Sequence, residues 1–528
     1  MSASFREFLQ LSRHQGELLE IGPAVDLRDI AALVPQSDKA LLFTQVKGYS
    51  MPVVSGLLQS RSRLAIAMGV PYKGIEGKLR SAMEHPIKPK LLKRAPVKEV
   101  ILTGNQVDLY RLPVPIFSIL DGGPMITGGV VIAEDPEYGM NAGMYRLMVK
   151  EKKFTGIDIV TPNNLRRYAE RALREKRPLP ISIAIGAHPY EMMASTFKAS
   201  LGTNELTYAG GLRGEPLVLA PGETIPTPCI ADAEIVLEGE ILPEGWTQAE
   251  GPFCEFNRLM GGLHYNPRVR IKAIMHRRDP IYYGLHMPWE NIWMSAPIYE
   301  AAAGRVLREA GVNATAINVT PGGCCHWHVI AAIRKQPGDG KNTIAALLSI
   351  ADIKHVVVTD EDIDIFDPVE VEWAMATRVQ ADRDVVIISN ARSKPLDPSL
   401  PPTDGIPTTA KMGIDATIPE NVPRERYQRI VYVREGKVQI KDYVGRTPPS
   451  SKAIKRKTKD EDIKILAGKI LKGISRFHRF FAEILDIFPN EEFASIARAI
   501  GWLNQEEKIT QDGEGKYQLK GDGLSQRR

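Results

Sequence analysis

Apolar and polar positions along the chain change rhythm three times. In residues 5–16, Phe5, Phe8 and Leu9 share one helical face, with Ser12 next on it, which predicts a short amphipathic helix. Residues 40–46 read as a strand closed by the turn Lys47-Gly48-Tyr49, and proline-rich stretches at 86–96 and 113–115 mark loops and a boundary. From about Ile126 to Arg277 the pattern is strand-like: residues 128–133, 181–185, 234–239 and 269–274 are separated by Gly, Pro and Asp turns, as in a sandwich or barrel. One helix interrupts them after Thr161-Pro162, where Leu165, Tyr168, Ala169, Ala172 and Leu173 recur at helical spacing. Beyond Ala301, helices alternate with the apolar runs 355–359 and 385–389, which suit a parallel sheet covered on both faces. Residues 463–488 carry a helical stripe of Ile463, Leu466, Ile470, Ile474, Phe477, Phe481, Ile484 and Leu485, ended by Pro489. Such a stripe serves equally a helix packed on its own domain or a subunit contact.

Size agrees with this division, because 528 residues exceed what one ordinary core serves and predict two or three domains. With 43% apolar and 25% charged residues the composition is that of a globular chain. The net charge of +5 is unevenly placed, with a basic run at 452–459. No aromatic-interleaved basic stripe accompanies it, so the expectation is no nucleic-acid partner, while a patch attracting small anions stays open. Cys229, Cys254, Cys324 and Cys325 form no CxxC pair, and the adjacent two are poorly placed to bridge each other. A reducing compartment is expected. The N-terminus lacks the apolar core of a signal peptide and no apolar run reaches the length of a membrane span, so the chain reads as soluble and cytoplasmic, with no membrane partner.

Three places carry candidate chemistry. Glu250 and Glu255 flank Gly251-Pro252, a sharp loop able to aim both carboxylates into one pocket, where like charges raise one pKa and create a proton donor. By spacing alone they read as two solvated loop glutamates. Asn141 offers an amide oxygen suited to a hard cation, and Arg146 opens an apolar stretch where a buried guanidinium needs an acidic partner; in isolation Arg146 reads as an edge-strand residue with a surface ion pair. Glu205 follows a loop and, alone, reads as a surface residue. Two further patterns fail. His326-Trp327-His328 has no third ligand at a usual zinc spacing, and Gly338-Asp339-Gly340-Lys341-Asn342 lacks the first glycine and the hydroxyl of a phosphate loop.

The order of these segments resembles the UbiD-like family of prenylated-flavin-dependent decarboxylases. The resemblance spans about Phe5 to Thr447: Phe5-Arg6-Glu7-Phe8-Leu9 and Gly16-Glu17-Leu18-Leu19, then 141–146, 205–210, 234–240 and 250–255, then 360–367, Trp373-Ala374-Met375 and 411–417. It implies a mixed α/β fold with an N-terminal α/β domain (1–120), a central flavin-reductase-like split β-barrel (121–320) and a C-terminal α/β domain for oligomerisation (321–450), leaving 451–528 as a helical extension. Homodimers or homohexamers are implied as well.

The resemblance further implies prenylated FMN, a divalent cation (usually Mn²⁺) and K⁺, with a flavin prenyltransferase supplying the cofactor. Carried over, the cofactor contacts are Asn141, Ala142, Gly143, Met144, Tyr145, Arg146, Asn163, Asn164, Glu205 and Lys411, the last on the phosphate. The divalent ligands are Asn141, Glu205 and Asn164, the potassium positions Ala194, Ser195 and Phe197. Asn164 stands where the family has histidine; an amide oxygen still binds Mg²⁺ or Mn²⁺, more weakly than imidazole binds a transition metal. Arg146, Glu250 and Glu255 match the family's Glu-Arg-Glu network, with Arg146 holding the substrate carboxylate, Glu255 delivering the proton and Glu250 tuning Arg146. The implied reaction is reversible, non-oxidative decarboxylation of an aromatic, heteroaromatic or α,β-unsaturated carboxylic acid. Within the fold the alternative is a carboxylase or decarboxylase of an aromatic acyl-CoA thioester; of another class, a non-catalytic assembly or scaffold subunit.

Overall fold

Ser4 starts the first helix by a reciprocal cap: its Oγ accepts from the Glu7 amide and Glu7 Oε2 accepts from the Ser4 amide. Phe5, Phe8 and Leu9 of this helix, Phe5–His14, are buried. It leads into a four-stranded sheet ordered Leu18–Ile21, Ala40–Phe43, Val53–Ser55 and Tyr282–Tyr283, the last strand arriving from far along the chain. The computed structural model describes residues 4–197, 199–394, 396–401, 406–444 and 459–521, in two compact units, 1–422 and 423–528. Apart from Lys459, the basic run at 452–459 lies outside the described residues.

The strand-like centre forms a nine-stranded antiparallel sheet that curls into a half-barrel. Its order is Met125–Ile126, Leu147–Glu151, Phe154–Gly156, Arg268–His276, Ile235–Ile241, Leu179–Ile185, Val130–Asp135 and Gly139–Met144, with Val100–Thr103 also paired to Arg268–His276. Val100–Thr103, and Lys90–Leu91 beside Val218–Ala220, therefore already belong to the central body. The helix Asn164–Arg174 is capped by Asn163, whose side chain accepts from the Arg166 amide. One apolar core runs continuously from the first sheet into the half-barrel.

A helix over Trp289–Glu309 leads to the C-terminal sheet, and its first turn is anchored by a buried carboxylate. Glu290 accepts from the amides of Gly56, Leu58 and His286 and from the Tyr283 hydroxyl, at 2.6 to 2.9 Å. The sheet runs Ala314–Val319, His328–Ile333, His355–Asp360, Thr408–Ala416, Val385–Arg392, with the middle three strands parallel. The run 355–359 is interior and buried from Val356 onward, as expected of a covered strand. The run 385–389 differs: it is an antiparallel edge strand, and Ile387 is 67% exposed.

In the second unit, the single helix expected over 463–488 is two. Helix Asp460–Ile474 ends, Arg479 exchanges backbone hydrogen bonds with Tyr517, and Phe481–Ile487 and Phe493–Gln505 follow. A hairpin of Ile509–Gln511 and Tyr517–Leu519 closes the unit. Ile463, Leu466, Ile470, Ile474 and Ile484 share one core with Ile496, Ile500 and Leu503, so the continuous periodicity arises from separate helices facing the same interior, while Phe477 is exposed. Among the described residues no helix is long and apolar enough to cross a membrane.

Candidate active site

Arg146 sits where the strand Gly139–Met144 turns into Leu147–Glu151, and three carboxylates surround its guanidinium. Asp158 Oδ2 lies 2.7 Å from Nη2, Glu255 Oε1 2.8 Å from Nη1 and Glu250 Oε1 3.7 Å from Nε. The Phe253 ring lies under the guanidinium at 5.2 Å. The glutamate pair is thus neither solvated nor remote: the side chain of Glu250 is fully buried and that of Glu255 is 15% exposed.

Local structure explains the placement. Glu250 ends the short strand Gln248–Glu250, which pairs with His264–Asn266, and Asn266 Nδ2 donates to Glu250 Oε2 at 2.8 Å. The connecting loop closes on itself through the Glu255 amide to the Leu259 carbonyl and the Gly261 amide to the Phe253 carbonyl. Two glycines make room for the carboxylates. A Cβ on Gly156 would come within 2.6 Å of Glu250 Oε2, and one on Gly261 within 2.7 Å of Glu255 Oε1.

Burial pushes the Glu250 carboxyl up to about 7, against the opposing pull of Arg146. Asp158 goes the other way: burial would raise it, but the His264 hydrogen bond and the Arg146 charge hold it below the ordinary aspartate value. His264, bound to Asp158, is raised in turn, while burial opposes. Glu250 Oε1 and Arg146 Nε, both buried, have no hydrogen-bond partner. Together with Thr127, Met144, Tyr145, Phe253, Phe256, Met287 and Asn291, the groups Arg146, Asp158 and Glu255 line a cavity of about 250 Å³.

A second cluster forms around Glu205. Its carboxylate accepts from Asn141 Nδ2 and the Ala142 amide, both at 2.8 Å, and also bonds Asn164. Burial raises its carboxyl above the usual glutamate value. Asn141 Oδ1 is buried with no hydrogen-bond partner beside this carboxylate. One carboxylate and two amides are an oxygen set suited to a hard divalent cation; among the described residues no group of three or more His, Cys, Asp or Glu side chains forms a metal cluster. The turn after helix Pro189–Ala194 comes close, since Asn164 Nδ2 donates to the Ala199 carbonyl at 3.4 Å. In that turn the Ala194 carbonyl accepts from the Phe197 amide and Ser195 Oγ donates to the Glu191 carbonyl. Between the two clusters, Tyr145 Oη lies 3.4 Å from Asn163 Oδ1. Gly143 and Met144 belong to the strand that carries Asn141 and Ala142.

Lys411 is the residue expected on the cofactor phosphate. Its Nζ donates to the carbonyls of Leu348, Ile350 and Ala351 at 2.9, 2.7 and 3.2 Å, at the C-terminal end of the helix Asp339–Leu348. Three carbonyls use all three donors of an ammonium, and a helix C-terminus favours the cation. His326 is likewise a packed residue, its ring 4.1 Å from that of Phe256 and its Nδ1 bonded to the Cys324 carbonyl.

Asp158, His264, Asn266, Gly156 and Gly261 are the residues that sequence reasoning missed. Alternation offered one signal: His264 and Asn266 are two apart on a strand after a Gly-Gly turn and therefore share a face. Asp158 had none, for it follows a strand as an ordinary polar residue.

Residues 9–83, 90–288 and 292–416 match the N-terminal, Rift-related and C-terminal domains of 3-octaprenyl-4-hydroxybenzoate carboxy-lyase, UbiD. An anhydromevalonate phosphate decarboxylase of Methanosarcina mazei is 36% identical over 440 residues, 82% of this chain and 100% of the relative. A phenolic acid decarboxylase of Sedimentibacter hydroxybenzoicus is 32% identical over 463 residues, 80% of this chain and 93% of the relative. The UbiD-class enzyme HmfF of Pelotomaculum thermopropionicum, solved with FMN, superposes with a TM-score of 0.79 at 41% identity, covering 84% of this chain and all of the other. An evolved dimeric form of that enzyme, solved with prenylated FMN, gives 0.76 at 38% identity with the same coverage.

Proposed function

The chain belongs to the UbiD family and is a carboxy-lyase, a decarboxylase by class, and we propose that it acts reversibly and without oxidation on an aromatic, heteroaromatic or α,β-unsaturated carboxylic acid, with prenylated FMN as cofactor. The observation that carries this reading is the guanidinium of Arg146 held among Glu250, Glu255 and Asp158 at a cavity that Met144, Phe253, Phe256 and Met287 line beside these polar groups.

The residues fit the cofactor's expected anchoring. The unpartnered Asn141 Oδ1 beside Glu205 supports a divalent cation, Mn²⁺ in this proposal, that would hold the cofactor phosphate, with Asn164 as third ligand. Ala194, Ser195 and Phe197, in the turn that reaches Asn164, are the proposed K⁺ positions. A flavin prenyltransferase is the proposed supplier. When bound, the modified flavin supplies an electron sink, so that CO₂ leaves without a free carbanion.

The chain's own part is orientation, desolvation and the proton. Arg146 offers its guanidinium to the substrate carboxylate. Met144, Phe253, Phe256 and Met287 exclude water from it, which weakens the carboxylate's solvation before it departs. Glu255 places a proton on the carbon that loses CO₂, and Glu250 adjusts the charge felt by Arg146. Among the described lining residues the only cation is Arg146. The cavity therefore suits a planar acid with a single charge better than a phosphorylated one such as the Methanosarcina relative's name indicates.

The test is co-expression with a flavin prenyltransferase, an absorbance spectrum, and incubation with aromatic, heteroaromatic and acrylic acids while CO₂ release and deuterium exchange are followed. A flavin-like chromophore and exchange on at least one planar acid are expected. A protein that binds no chromophore and exchanges nothing would instead be a scaffold.

A further inference from the structure

Each decarboxylation consumes one proton. The carboxylate R–CO₂⁻ and H⁺ become R–H and CO₂; the electron pair of the broken C–C bond ends in the new C–H bond. If Glu255 supplies that proton, it is left as a carboxylate after every turnover and must be reloaded from solvent. Arg146 cannot pass a proton on, because a guanidinium does not deprotonate in proteins. Glu250 is sealed, with no side-chain exposure, and is held by Asn266. Asp158, held down by His264 and Arg146 although burial opposes, stays ionised.

His264 differs from all of these. Its side chain is 32% exposed, against 11% for Arg146, 15% for Glu255 and 17% for Asp158. It stands opposite Glu250 in the two-stranded hairpin, so backbone pairing fixes its position at the site. Its Nδ1 lies 3.6 Å from Asp158 Oδ2 and 3.4 Å from Arg146 Nη2, while Glu255 occupies Nη1 of the same guanidinium at 2.8 Å. The imidazole and the Glu255 carboxylate therefore flank the two terminal nitrogens of one planar group. The charged groups that act on His264 are Asp158, Arg146 and Glu255.

We propose that His264 is the relay through which solvent protons return to Glu255, an inference that rests on Glu255 being the proton donor. The imidazolium, stabilised by Asp158, gives up an N–H proton to the Glu255 carboxylate through an intervening water. The neutral ring then takes a proton from bulk solvent at its exposed edge. His264 is a positioning residue and not a catalytic one, since it is not among the residues that line the cavity and acts through Glu255.

The test uses holoenzyme carrying His264→Asn, with His264→Gln as a second variant should the first not fold. The expected result is an unchanged chromophore spectrum, KM within about twofold, and kcat lower by about 10- to 100-fold, at or below the low end of general acid–base effects. The solvent deuterium isotope effect on kcat should rise, and added imidazole should restore part of the rate. A single turnover from Glu255 loaded beforehand should proceed at the wild-type rate, with only later turnovers slowed. Unchanged kcat, or a loss that spares the isotope effect and resists imidazole, would overturn the relay and leave His264 as a support for Asp158. Failure of the underlying reading looks different: Glu255→Gln would then turn over fully, whatever the His264 variants do.

Discussion

Asp158 lies closer to Arg146 than Glu250 does, 2.7 Å against 3.7 Å, so the guanidinium has an aspartate as one of its two nearest anionic partners. Removing a charge-assisted hydrogen bond of this kind costs about 1.5–3 kcal/mol. Asp158→Asn is therefore expected to lower kcat/KM by roughly ten- to a hundredfold, with cofactor binding retained. The same variant should bring the His264 pKa down, because Asp158 is the main cause of its elevation. Steady-state kinetics and an NMR titration of the imidazole check both.

A pH dependence follows from Glu250. Burial outweighs Arg146 and places this carboxyl at about 7, so it is mostly neutral below that pH and ionised above it. Ionisation adds a negative charge beside Arg146 where the substrate carboxylate has to bind. kcat/KM is expected to fall as pH rises through about 7, and that limb should flatten in Glu250→Gln. A pH–rate profile of the two holoenzymes decides.

The two close-approach glycines give a steric prediction. Gly156→Ala puts a methyl 2.6 Å from Glu250 Oε2, and Gly261→Ala one 2.7 Å from Glu255 Oε1. Both contacts are too short for a resident Cβ, so the carboxylate must shift. Each change is expected to leave the melting temperature within a few degrees while lowering kcat at least tenfold, with Gly261→Ala also reducing deuterium exchange into substrate or product. Calorimetry beside exchange assays separates the site effect from a folding effect.

At the Glu205 cluster, Asn164 is the amide proposed as the third ligand. Asn164→His should raise Mn²⁺ affinity by about tenfold or more, since imidazole is the better donor to a first-row transition ion. Asn141→Ala, which removes the unpartnered oxygen, should lower it. Metal titration of the protein without flavin, followed by the electron paramagnetic resonance of free Mn²⁺, measures both without reference to activity.

Much of the architecture is legible in the sequence because periodicity reports burial. The strands of the half-barrel and the mainly apolar 355–359 run appear as patterned. The 385–389 run looks the same but lies at an edge, because apolar content says that a strand seeks cover without saying that this chain supplies it. The 463–488 stripe deceives for a related reason: separate helices that face one core continue each other's phase across the break at 475–480. Arg146, Glu250 and Glu255 look like surface residues one at a time, and only their shared order with a family drew them together. Asp158 and His264 are 106 positions apart and meet only once the sheet folds, so neither local spacing nor that order revealed them. The carbonyls that the Lys411 ammonium meets at a helix end were not legible either, because a lysine's sequence position does not tell what its ammonium meets.

Glu255 and Phe256 are neighbours in the chain but face different surroundings. The carboxylate grips Arg146 on the half-barrel, while the Phe256 ring is part of the core beneath the C-terminal sheet, against His326 and Trp327. One planar peptide unit, about 3.8 Å from α-carbon to α-carbon, joins them and does not stretch. It ties the seating of the carboxylate to the packing of that ring, and the carboxylate's bond to the guanidinium tolerates only a few tenths of an ångström. How the Glu255 carboxylate is seated thus depends on one aromatic ring clamped in a part of the protein that has no carboxylate of its own in the cavity.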